Sequence, residues 1–323
     1  MPHAIRIYEN GGPEKMRWEE VQVGAPGPGQ LLVRTTAAGL NFIDTYQRSG
    51  LYPLPLPLTL GMEGAGVVEA VGPKVKEFKV GDHVAYAQPI GAYAELCLRP
   101  VERTVKIPAG IDDRIAAAIM LKGMTAWYLI HRTYKVKKGD TILVHAAAGG
   151  VGQILCQWAK ALGATVIGTV GSDEKAAIAK KCGCKHVIVT AREKIVERVK
   201  EITKGKGVPV VYDGVGKDTF ADSLDCLAPL GMMVSFGNAS GAVTQFNPGI
   251  LAQKGSLFLT RPTLVNYTSK REDLVAAARA LFAVVKSKKV KISINQTYPL
   301  RDAAQAHIDL EARKTTGSTV LLP

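Results

Sequence analysis

The sequence predicts an α/β protein with two parts, a mainly antiparallel β unit and a doubly wound parallel sheet. Short β segments separated by turns fill the amino-terminal third. From residue 141 to residue 260, strand and helix patterns alternate, which is typical of βαβ units. The alternation breaks at Pro262. We therefore expect one domain over residues 123–261, inserted between the two parts of the other, 1–122 and 262–323.

The amino-terminal strands are runs of β-branched and aromatic residues between turns that glycine and proline favour. Turn signals such as Gly11–Pro13 and Pro26–Gly29 separate them. The predicted strands of this part are Ala4–Tyr8, Leu31–Thr36, Gly66–Val71, Asp82–Tyr86 and Tyr93–Leu98. Their spacing indicates a compact, barrel-like unit.

An alanine-rich helical segment, Asp113–Tyr134, leads into the alternating region. The predicted strands there are Thr141–His145, Thr165–Val170, His186–Val189, Val208–Tyr212, Met232–Phe236 and Ser256–Thr260. The predicted helices between them are Val151–Leu162, Asp173–Cys182, Glu193–Thr203 and Asp218–Leu227. After Pro262 we expect, in order, a helix, a strand, a helix and a strand over Glu272–Lys286, Ile292–Tyr298, Asp302–Arg313 and Ser318–Leu322.

Composition places the chain among globular enzymes, with 47% hydrophobic and 21% charged residues. No apolar run approaches the roughly 20 residues that span a bilayer, and the first residues lack the apolar core of a secretory signal. Five cysteines scattered along the chain do not form a disulfide framework. We therefore expect reduced thiols and a cytoplasmic protein without membrane contact.

The formal net charge is +13, and much of it lies in lysine clusters. The clusters are Lys135, Lys137 and Lys138; Lys200, Lys204 and Lys206; and Lys286, Lys288, Lys289 and Lys291. A positive field attracts anionic ligands and, less specifically, nucleic acid. The clusters lack the interleaved aromatic residues on which nucleic-acid bases stack. We therefore expect the lysines to lie on solvated surfaces, and a nucleic-acid partner is disfavoured but not excluded.

A glycine-rich segment between a predicted strand and a predicted helix indicates a dinucleotide site. Ala147, Gly149 and Gly152 occupy the three positions of a GxGxxG pattern. A pyrophosphate binds the N–H groups at a helix N-terminus, and small residues let the backbone approach it closely. The strand, the helix and the α/β pattern that follows support a Rossmann-type site.

The end of the second strand indicates which dinucleotide is bound. NAD binders carry an acidic residue there to hold the ribose 2′-hydroxyl. Here Gly171 and Ser172 leave room for a 2′-phosphate, and Lys175 can neutralise it. The sequence therefore favours NADPH, with Asp173 at the start of the next helix as the one feature against it.

Six segments, among them the glycine-rich one, occur in an order and spacing that is specific as a set. They are Asn41–Tyr46 with Arg48–Pro53, Gly61–Gly66, Lys122–Ala126, Ala147–Gly152, Val234–Gly241 and Glu311–Ser318. They resemble the quinone oxidoreductase (zeta-crystallin-like) branch of the medium-chain dehydrogenase/reductase superfamily over essentially the whole chain. The first resembles the substrate-side loop of that branch. The resemblance implies a Rossmann-type domain and a GroES-like catalytic domain.

The resemblance also implies roles for individual residues. With Gly149 of the glycine pattern, those implied to line the cofactor are Asn41, Phe42, Ile43, Asp44, Thr125, Gly150, Val151, Phe236, Gly237, Asn238 and Ser240. Ser172, Lys175 and Arg313 are implied to contact the 2′-phosphate, whereas Thr190 stands where relatives often carry an aromatic residue. A homodimer through the edge strands of the cofactor domains, here Leu257–Thr260, is implied as well.

The positions that hold catalytic zinc in related alcohol dehydrogenases carry other residues here. Leu40 or Asn41 takes the cysteine place, and Met62 takes the histidine place. Cys182 and Cys184 have no second pair and are interpreted as structural thiols. His145 is interpreted as a core residue rather than a ligand. We therefore expect no metal site.

An enzyme without a Lewis acid needs a substrate that is already electrophilic, such as a quinone or an enone, which accepts hydride at carbon. We expect Asn41, Tyr46 and Tyr52 to be the polar groups over the nicotinamide and substrate, with a tyrosine donating a hydrogen bond to the oxygen that gains charge. The alternative that both tyrosines only pack the cleft wall stays open.

The sequence therefore predicts a zinc-independent NADPH:quinone oxidoreductase. Two alternatives remain. One is an NADPH-dependent reductase of enones or enoyl thioesters, which would share the fold and cofactor. The other belongs to a different class, a nucleotide-binding structural or RNA-binding protein that exploits the positive charge.

Overall fold

The computed structural model describes all 323 residues, Met1–Pro323. The chain folds into two compact units. Unit 1 comprises Met1–Lys122, Lys270–Lys286 and Ile292–Pro323, and unit 2 comprises Gly123–Ser269 and Ser287–Lys291.

The second boundary lies later in the chain than the sequence pattern suggested, because residues 262–269 pack within unit 2. Tyr267 stacks on Tyr128, with ring centroids 4.4 Å apart and an interplanar angle of 9°. Its hydroxyl accepts a hydrogen bond from Thr133 Oγ1 at 2.9 Å. Pro262 interrupts the alternating pattern, but these contacts keep the next few residues with the parallel sheet.

Sixteen strands and ten α-helices make up most of the regular structure, with three short 3-10 helices at Pro13–Lys15, Val101–Arg103 and Leu300–Asp302 and a π-helical turn at Leu129–Thr133. The strands are β1 (His3–Ile7), β2 (Arg17–Glu20), β3 (Gln30–Leu40), β4 (Leu58–Thr59), β5 (Glu63–Val71), β6 (His83–Tyr86), β7 (Leu96–Pro100), β8 (Thr104–Lys106), β9 (Thr141–Val144), β10 (Thr165–Val170), β11 (His186–Val189), β12 (Val208–Asp213), β13 (Leu227–Ser235), β14 (Phe258–Thr260), β15 (Ile294–Pro299) and β16 (Ser318–Leu322). The helices are α1 (Phe42–Ser49), α2 (Asp113–Tyr128), α3 (Gly150–Ala161), α4 (Asp173–Lys181), α5 (Ile195–Thr203), α6 (Phe220–Asp225), α7 (Gly249–Gln253), α8 (Leu264–Tyr267), α9 (Arg271–Lys286) and α10 (Ala303–Glu311).

Unit 2 contains a six-stranded sheet in the order β11-β10-β9-β12-β13-β14. Every neighbouring pair in it is parallel. The order reverses direction between β9 and β12, which is the switch point of a doubly wound sheet, where ligands bind outside the carboxyl ends of the strands. Leu143, Ile167 and Val211 from the central strands are fully buried in its core. The predicted Rossmann-type sheet is confirmed.

Unit 1 contains a seven-stranded sheet in the order β15-β16-β3-β5-β6-β8, with β7 also paired to β3. A second sheet has the order β2-β1-β4. All strand pairs are antiparallel except β15 with β16, so the prediction of a mainly antiparallel unit is confirmed. Gly66 is required where β5 meets β3, because a Cβ there would lie 2.1 Å from the carbonyl oxygen of Arg34.

The segment predicted as a substrate-side loop is largely helical, so that part of the prediction was wrong. Asn41 is the N-cap of α1, with an extended backbone at φ −140°. Its backbone N–H donates to Asp44 Oδ2 at 2.8 Å, which is one half of a capping box. Gly50, at φ +82°, ends the helix in the left-handed conformation that glycine adopts without strain.

All five cysteines are buried and unpaired. None of the ten helices combines the length and the apolar character that crossing a bilayer would need.

A largely buried polar chain ties α10 to α1 and to Tyr93, in the segment before β7. Arg48 pairs with Glu311 at 2.9 Å and contacts His307 Nδ1 at 3.0 Å. His307 Nε2 lies 3.4 Å from the hydroxyl of Tyr93, which donates to Asp44 Oδ2 at 2.8 Å. Burial lowers the pKa of His307 to about 3, and the Arg48 guanidinium acts in the same direction. The imidazole is therefore neutral in the folded protein at neutral pH.

This histidine should make the stability of unit 1 depend on pH. Between pH 6.5 and pH 3 an unfolded chain protonates His307 while the folded chain does not, so lowering the pH favours unfolding, by on the order of 5 kcal/mol over that window. A His307→Gln variant keeps a donor and an acceptor but does not titrate. We expect its unfolding free energy, measured by urea titration, to fall less steeply below pH 6.5. Equal slopes for the two proteins would contradict the assignment.

Candidate active site

The glycine-rich turn of unit 2 connects β9 to α3. Ala146 adopts a left-handed backbone conformation at φ +51°, and its carbonyl accepts from the N–H of Gly149 at 2.9 Å. The Ala147 N–H donates to the Thr169 carbonyl at 3.0 Å, which ties the turn to β10. Gly149 is the N-cap of α3. The first N–H groups of any α-helix have no hydrogen-bond partners within the helix. In α3 these groups directly follow a turn that is held by hydrogen bonds on both sides.

Two glycines allow this turn to approach its neighbours. A Cβ on Gly152 would lie 2.3 Å from the Ala146 carbonyl oxygen and 2.8 Å from the Cα of Ala147. A Cβ on Gly168 in β10 would lie 2.7 Å from the Cβ of Ala147. Only hydrogen fits at either position. The turn is thus a cradle of backbone amides at the positive end of a helix, and its geometry fits a dinucleotide pyrophosphate.

The loop after β10 carries the residues predicted for the 2′-phosphate. Ser172 is the N-cap of α4, where its hydroxyl accepts from the Lys175 N–H at 3.4 Å. Lys175 lies in the first turn of the same helix and is half-buried. Asp173, the residue that argued against NADPH, pairs with Arg192 at 2.6 Å. The acidic side chain therefore has a cationic partner, although both groups are well exposed and the pair is weak.

Two further loops of unit 2 are bonded to each other beyond β12 and β13. A Cβ on Gly237 would lie 2.3 Å from the Gly214 carbonyl oxygen. Ser240 donates to the Val215 carbonyl through both its N–H, at 2.8 Å, and its hydroxyl, at 2.9 Å. The segment Phe236–Ser240, predicted to line the cofactor, is thereby anchored to residues 214–218 at the carboxyl edge of the sheet.

Thr125, also predicted to line the cofactor, is buried in unit 2 on α2. Its hydroxyl bonds to Tyr128, whose pKa is raised mainly by burial and lowered in part by this contact. Arg313 lies exposed in unit 1 with φ +60°. Thr190 is exposed, and its hydroxyl donates to the Val170 carbonyl at 3.2 Å.

In unit 1, Asn41 belongs to a buried cluster of charged and polar groups. Its Nδ2 donates to Glu63 Oε1 at 3.0 Å and to the Gly39 carbonyl at 3.3 Å. Glu63 is fully buried and forms an ion pair with Lys122, which is 5% exposed. The backbone N–H of Leu121 donates to its other oxygen at 2.6 Å. The orientation of the Asn41 amide is therefore set by a carboxylate whose own charge is balanced inside the protein.

The two tyrosines predicted to be catalytic lie against each other. The rings of Tyr46 and Tyr52 are 5.3 Å apart in an edge-to-face arrangement, and the Tyr52 N–H donates to the Tyr46 carbonyl at 3.0 Å. The ring centroids of Phe42 and Tyr46, which lie on the same helix, are 6.3 Å apart. Both tyrosines are half-buried. The structure thus brings Tyr46 and Tyr52 together at α1, beside the N-cap Asn41.

The side chain of Asp44 points into the protein interior, whereas a side chain that contacts a ligand would face the site. The carboxylate is fully buried and accepts from Asn41 N–H, from the Tyr93 hydroxyl, and from the Met62 N–H at 3.1 Å. Burial raises its pKa to about 7, while the bonds from Tyr93 and Asn41 act in the opposite direction. Its evident role is to organise the start of α1, and a cofactor contact through this residue stays a prediction.

Comparison with known proteins gives full-length matches. The family model for the alcohol dehydrogenase GroES-like domain matches residues 27–109, and that for zinc-binding dehydrogenases matches residues 150–261. A quinone oxidoreductase of Pseudomonas aeruginosa is 56% identical, with 100% of both chains covered. A 2-haloacrylate reductase of a Burkholderia species is 50% identical, with 100% of this chain and 99% of the relative covered.

Among solved structures, the Escherichia coli quinone oxidoreductase complexed with NADPH has a TM-score of 0.98 at 51% identity, covering 99% of this chain and all of that one. A Pseudomonas syringae quinone oxidoreductase also has a TM-score of 0.98, at 54% identity over the full length of both chains. The chain belongs to the quinone oxidoreductase family of medium-chain dehydrogenases/reductases. The GroES-like assignment of unit 1 and the Rossmann-type assignment of unit 2 are confirmed with it.

Although one family model is described as zinc-binding, the chain has no group of three or more His, Cys, Asp or Glu side chains arranged to hold a metal ion. Met62 is buried, and its Sδ accepts from Gln47 Nε2 at 3.2 Å. The adjacent Glu63 forms an ion pair with the Lys122 ammonium, which is its counter-ion.

Three residues of the candidate site were not singled out from the sequence. Glu63 and Lys122 both lie in segments that carry the family resemblance, but nothing in a linear pattern indicates that they pair across 59 positions. Arg192 could have been found as a cation on the loop after β11, the strand next to β10. The family resemblance draws attention to the aromatic position, Thr190, rather than to this neighbouring arginine.

The close packing of the glycine turn gives a test that needs no ligand. A Gly152→Ala substitution would force a methyl group against the Ala146 carbonyl, and overpacking of this kind costs about 1–3 kcal/mol. Gly171→Ala is the matched control, since no atom lies within 4 Å of a Cβ there. We expect urea unfolding to show a loss of stability for the first variant only. A Gly152→Ala protein as stable as the wild type would contradict the turn geometry.

Proposed function

We propose that this protein transfers hydride from NADPH to a quinone without the help of zinc. The observation that carries the proposal is the amide cradle at the start of α3, where Gly152 and Gly168 leave no room for a side chain. It is supported by family membership and by an NADPH complex of a relative that is 51% identical.

The chain's own residues would bind the cofactor at three places. The N–H groups of Gly150 and Val151 at the start of α3 would hold the pyrophosphate. Ser172 and Lys175 would meet the 2′-phosphate, and we add Arg192, which is already bonded to α4 through Asp173. Arg313, from unit 1, is proposed for the same phosphate. Phe236–Ser240, Thr125 and the α1 residues Phe42 and Ile43 would line the remainder.

When bound, NADPH supplies the hydride. The protein's contribution is to orient the reactants and to provide polar groups where charge develops. Asn41 is proposed to face the nicotinamide and substrate, with its amide held by Glu63. Tyr46 and Tyr52 are half-buried and mutually packed, so a hydroxyl presented by either ring would have a restricted orientation toward the substrate oxygen.

Zinc independence is supported by what occupies the region of Met62 and Glu63. The Lys122 ammonium neutralises Glu63, and Asn41 and the Leu121 N–H each donate a further hydrogen bond to this carboxylate. A divalent cation at this carboxylate would have to displace a buried ion pair, which is costly. A quinone needs no such cation, because it accepts hydride directly.

Two further proposals, on the oligomeric state and on the cellular compartment, accompany the activity. The edge strand β14 ends the parallel sheet, and its Phe258 is 57% exposed. A terminal strand with an exposed aromatic residue suits pairing with the same strand of a second copy, so we propose a homodimer through Leu257–Thr260. The five buried free thiols support a reducing, cytoplasmic setting.

The second candidate function is reduction of an activated alkene. It is favoured by the 2-haloacrylate reductase relative, which is 50% identical over the full chain. The same hydride chemistry would serve both substrate types, since each accepts hydride at an electron-poor carbon.

A substrate panel tests the proposal. Loss of reduced-nicotinamide absorbance should be fast with quinones and slower, by roughly ten-fold or more in kcat/KM, with enones and 2-haloacrylates. The rates should be unchanged after chelation, and mass spectrometry of the active protein should find no stoichiometric zinc. A preference for alkenes would establish the second candidate, and activity that disappears on chelation and returns with zinc would refute the metal-free mechanism.

A charge reversal tests the 2′-phosphate site. Lys175→Glu should weaken NADPH binding by roughly 30- to 100-fold and leave NADH binding nearly unchanged, because only NADPH carries the phosphate. Lys181→Glu makes the same change of charge at the far end of α4 and is the matched control. Dissociation constants can be measured by calorimetry. Equal losses for both nucleotides would show that the phosphate does not bind beside Lys175.

A further inference from the structure

A buried polar chain lies at the carboxyl edge of the parallel sheet in unit 2. His145, directly after β9, contacts Thr169 of β10 through Nδ1 at 2.9 Å and Ser223 of α6 through Nε2 at 3.0 Å. Ser223 in turn donates to Asp213 at the end of β12, at 2.8 Å. All four side chains are buried. Residues in or directly after three adjacent strands are thereby joined to each other and to α6 through side-chain hydrogen bonds.

The direction of each hydrogen bond in this chain follows from the hydrogens available. The single hydroxyl hydrogen of Ser223 goes to the Asp213 carboxylate, so its oxygen must accept from His145 Nε2–H. Burial lowers the pKa of His145, with Asp213 and Asp222 acting in the opposite direction. The ring is therefore neutral, its Nδ1 carries no hydrogen, and Thr169 must donate to it. Every member of the chain has one defined hydrogen-bonding state.

Asp213 connects this chain to the loops beyond the sheet. Its Oδ1 accepts from the N–H groups of Val215 and Gly216, at 2.7 and 3.0 Å. Its Oδ2 accepts from Thr219 at 2.7 Å as well as from Ser223. The Val215 carbonyl holds both donors of Ser240. The chain therefore extends without a break from β10 to the segment Phe236–Ser240.

The loops attached to this chain are those proposed to bind the cofactor. The phosphate-binding turn begins at Ala146, next to His145, and the 2′-phosphate loop begins two residues after Thr169. We propose that His145, Ser223 and Asp213 are positioning residues that keep these loops in the relative placement that NADPH requires. This inference rests on the proposed function, because it concerns the same cofactor.

Stability alone does not account for such a network. A buried carboxylate and imidazole are expensive to desolvate, and apolar residues of similar volume often stabilise a core as well or better. What a satisfied polar chain adds is one defined arrangement of the elements that it joins. Here those elements are the ends of strands that carry ligand-binding loops, where small displacements weaken binding strongly.

The test compares cofactor affinity with stability in variants of the intact chain. His145→Phe removes both ring hydrogen bonds, and the nearly isosteric Thr169→Val removes only the donor to Nδ1. Thr203→Val is the matched control: it removes a hydroxyl that bonds Val199 and Gly207 in the same unit, at the amino-terminal end of β12. Calorimetric dissociation constants for NADPH and NADH are measured where each variant is fully folded by circular dichroism.

We expect His145→Phe to raise the dissociation constants of both nucleotides by about ten-fold or more, since the turn and both loops shift. Thr169→Val should have a smaller effect in the same direction, and Thr203→Val should leave both constants unchanged despite lower stability. Unchanged affinity in the first two variants, or equal losses in all three, would overturn the positioning role. A wild-type chain that binds neither nucleotide would refute the proposed function itself.

Discussion

The close packing of the β9–α3 turn against the first turn of α3 and against the neighbouring strand β10 is the constraint on which the site depends. Gly152 must lie against the Ala146 carbonyl, and Gly168 must lie against Ala147. No side chain fits in either contact, so the first amides of α3 are presented bare at the carboxyl edge of the sheet. The other loops of unit 2 are organised around this turn, since β10 and β12 flank β9 in the sheet.

Each unit carries a buried histidine whose neutrality is enforced by its surroundings. His307 in unit 1 and His145 in unit 2 both have lowered pKa values because of burial. Each ring relays a hydrogen bond toward an aspartate, Asp44 in one case and Asp213 in the other. Each network gives the elements that it joins within its own unit a single defined arrangement.

The fold was predictable because its signals are local. Alternating strands and helices with a glycine turn identified the parallel sheet, and β10, β11 and β16 were predicted at their observed bounds. The helix α1 was missed because the resemblance indicated a loop, although Asn41 and Asp44 have the spacing of a capping box and form one half of it. The buried networks could not be predicted, since His145 and Ser223 are 78 positions apart and Arg48 and His307 are 259 apart. Only the folded chain shows that they meet.

A crystal structure of the chain with NADPH tests the central claim most directly. We expect the pyrophosphate to lie within hydrogen-bonding distance of the Gly150 and Val151 amides, with the 2′-phosphate between Ser172, Lys175 and Arg192. Density for the nucleotide at any other place, or a pyrophosphate separated from α3 by a layer of water, would contradict the account.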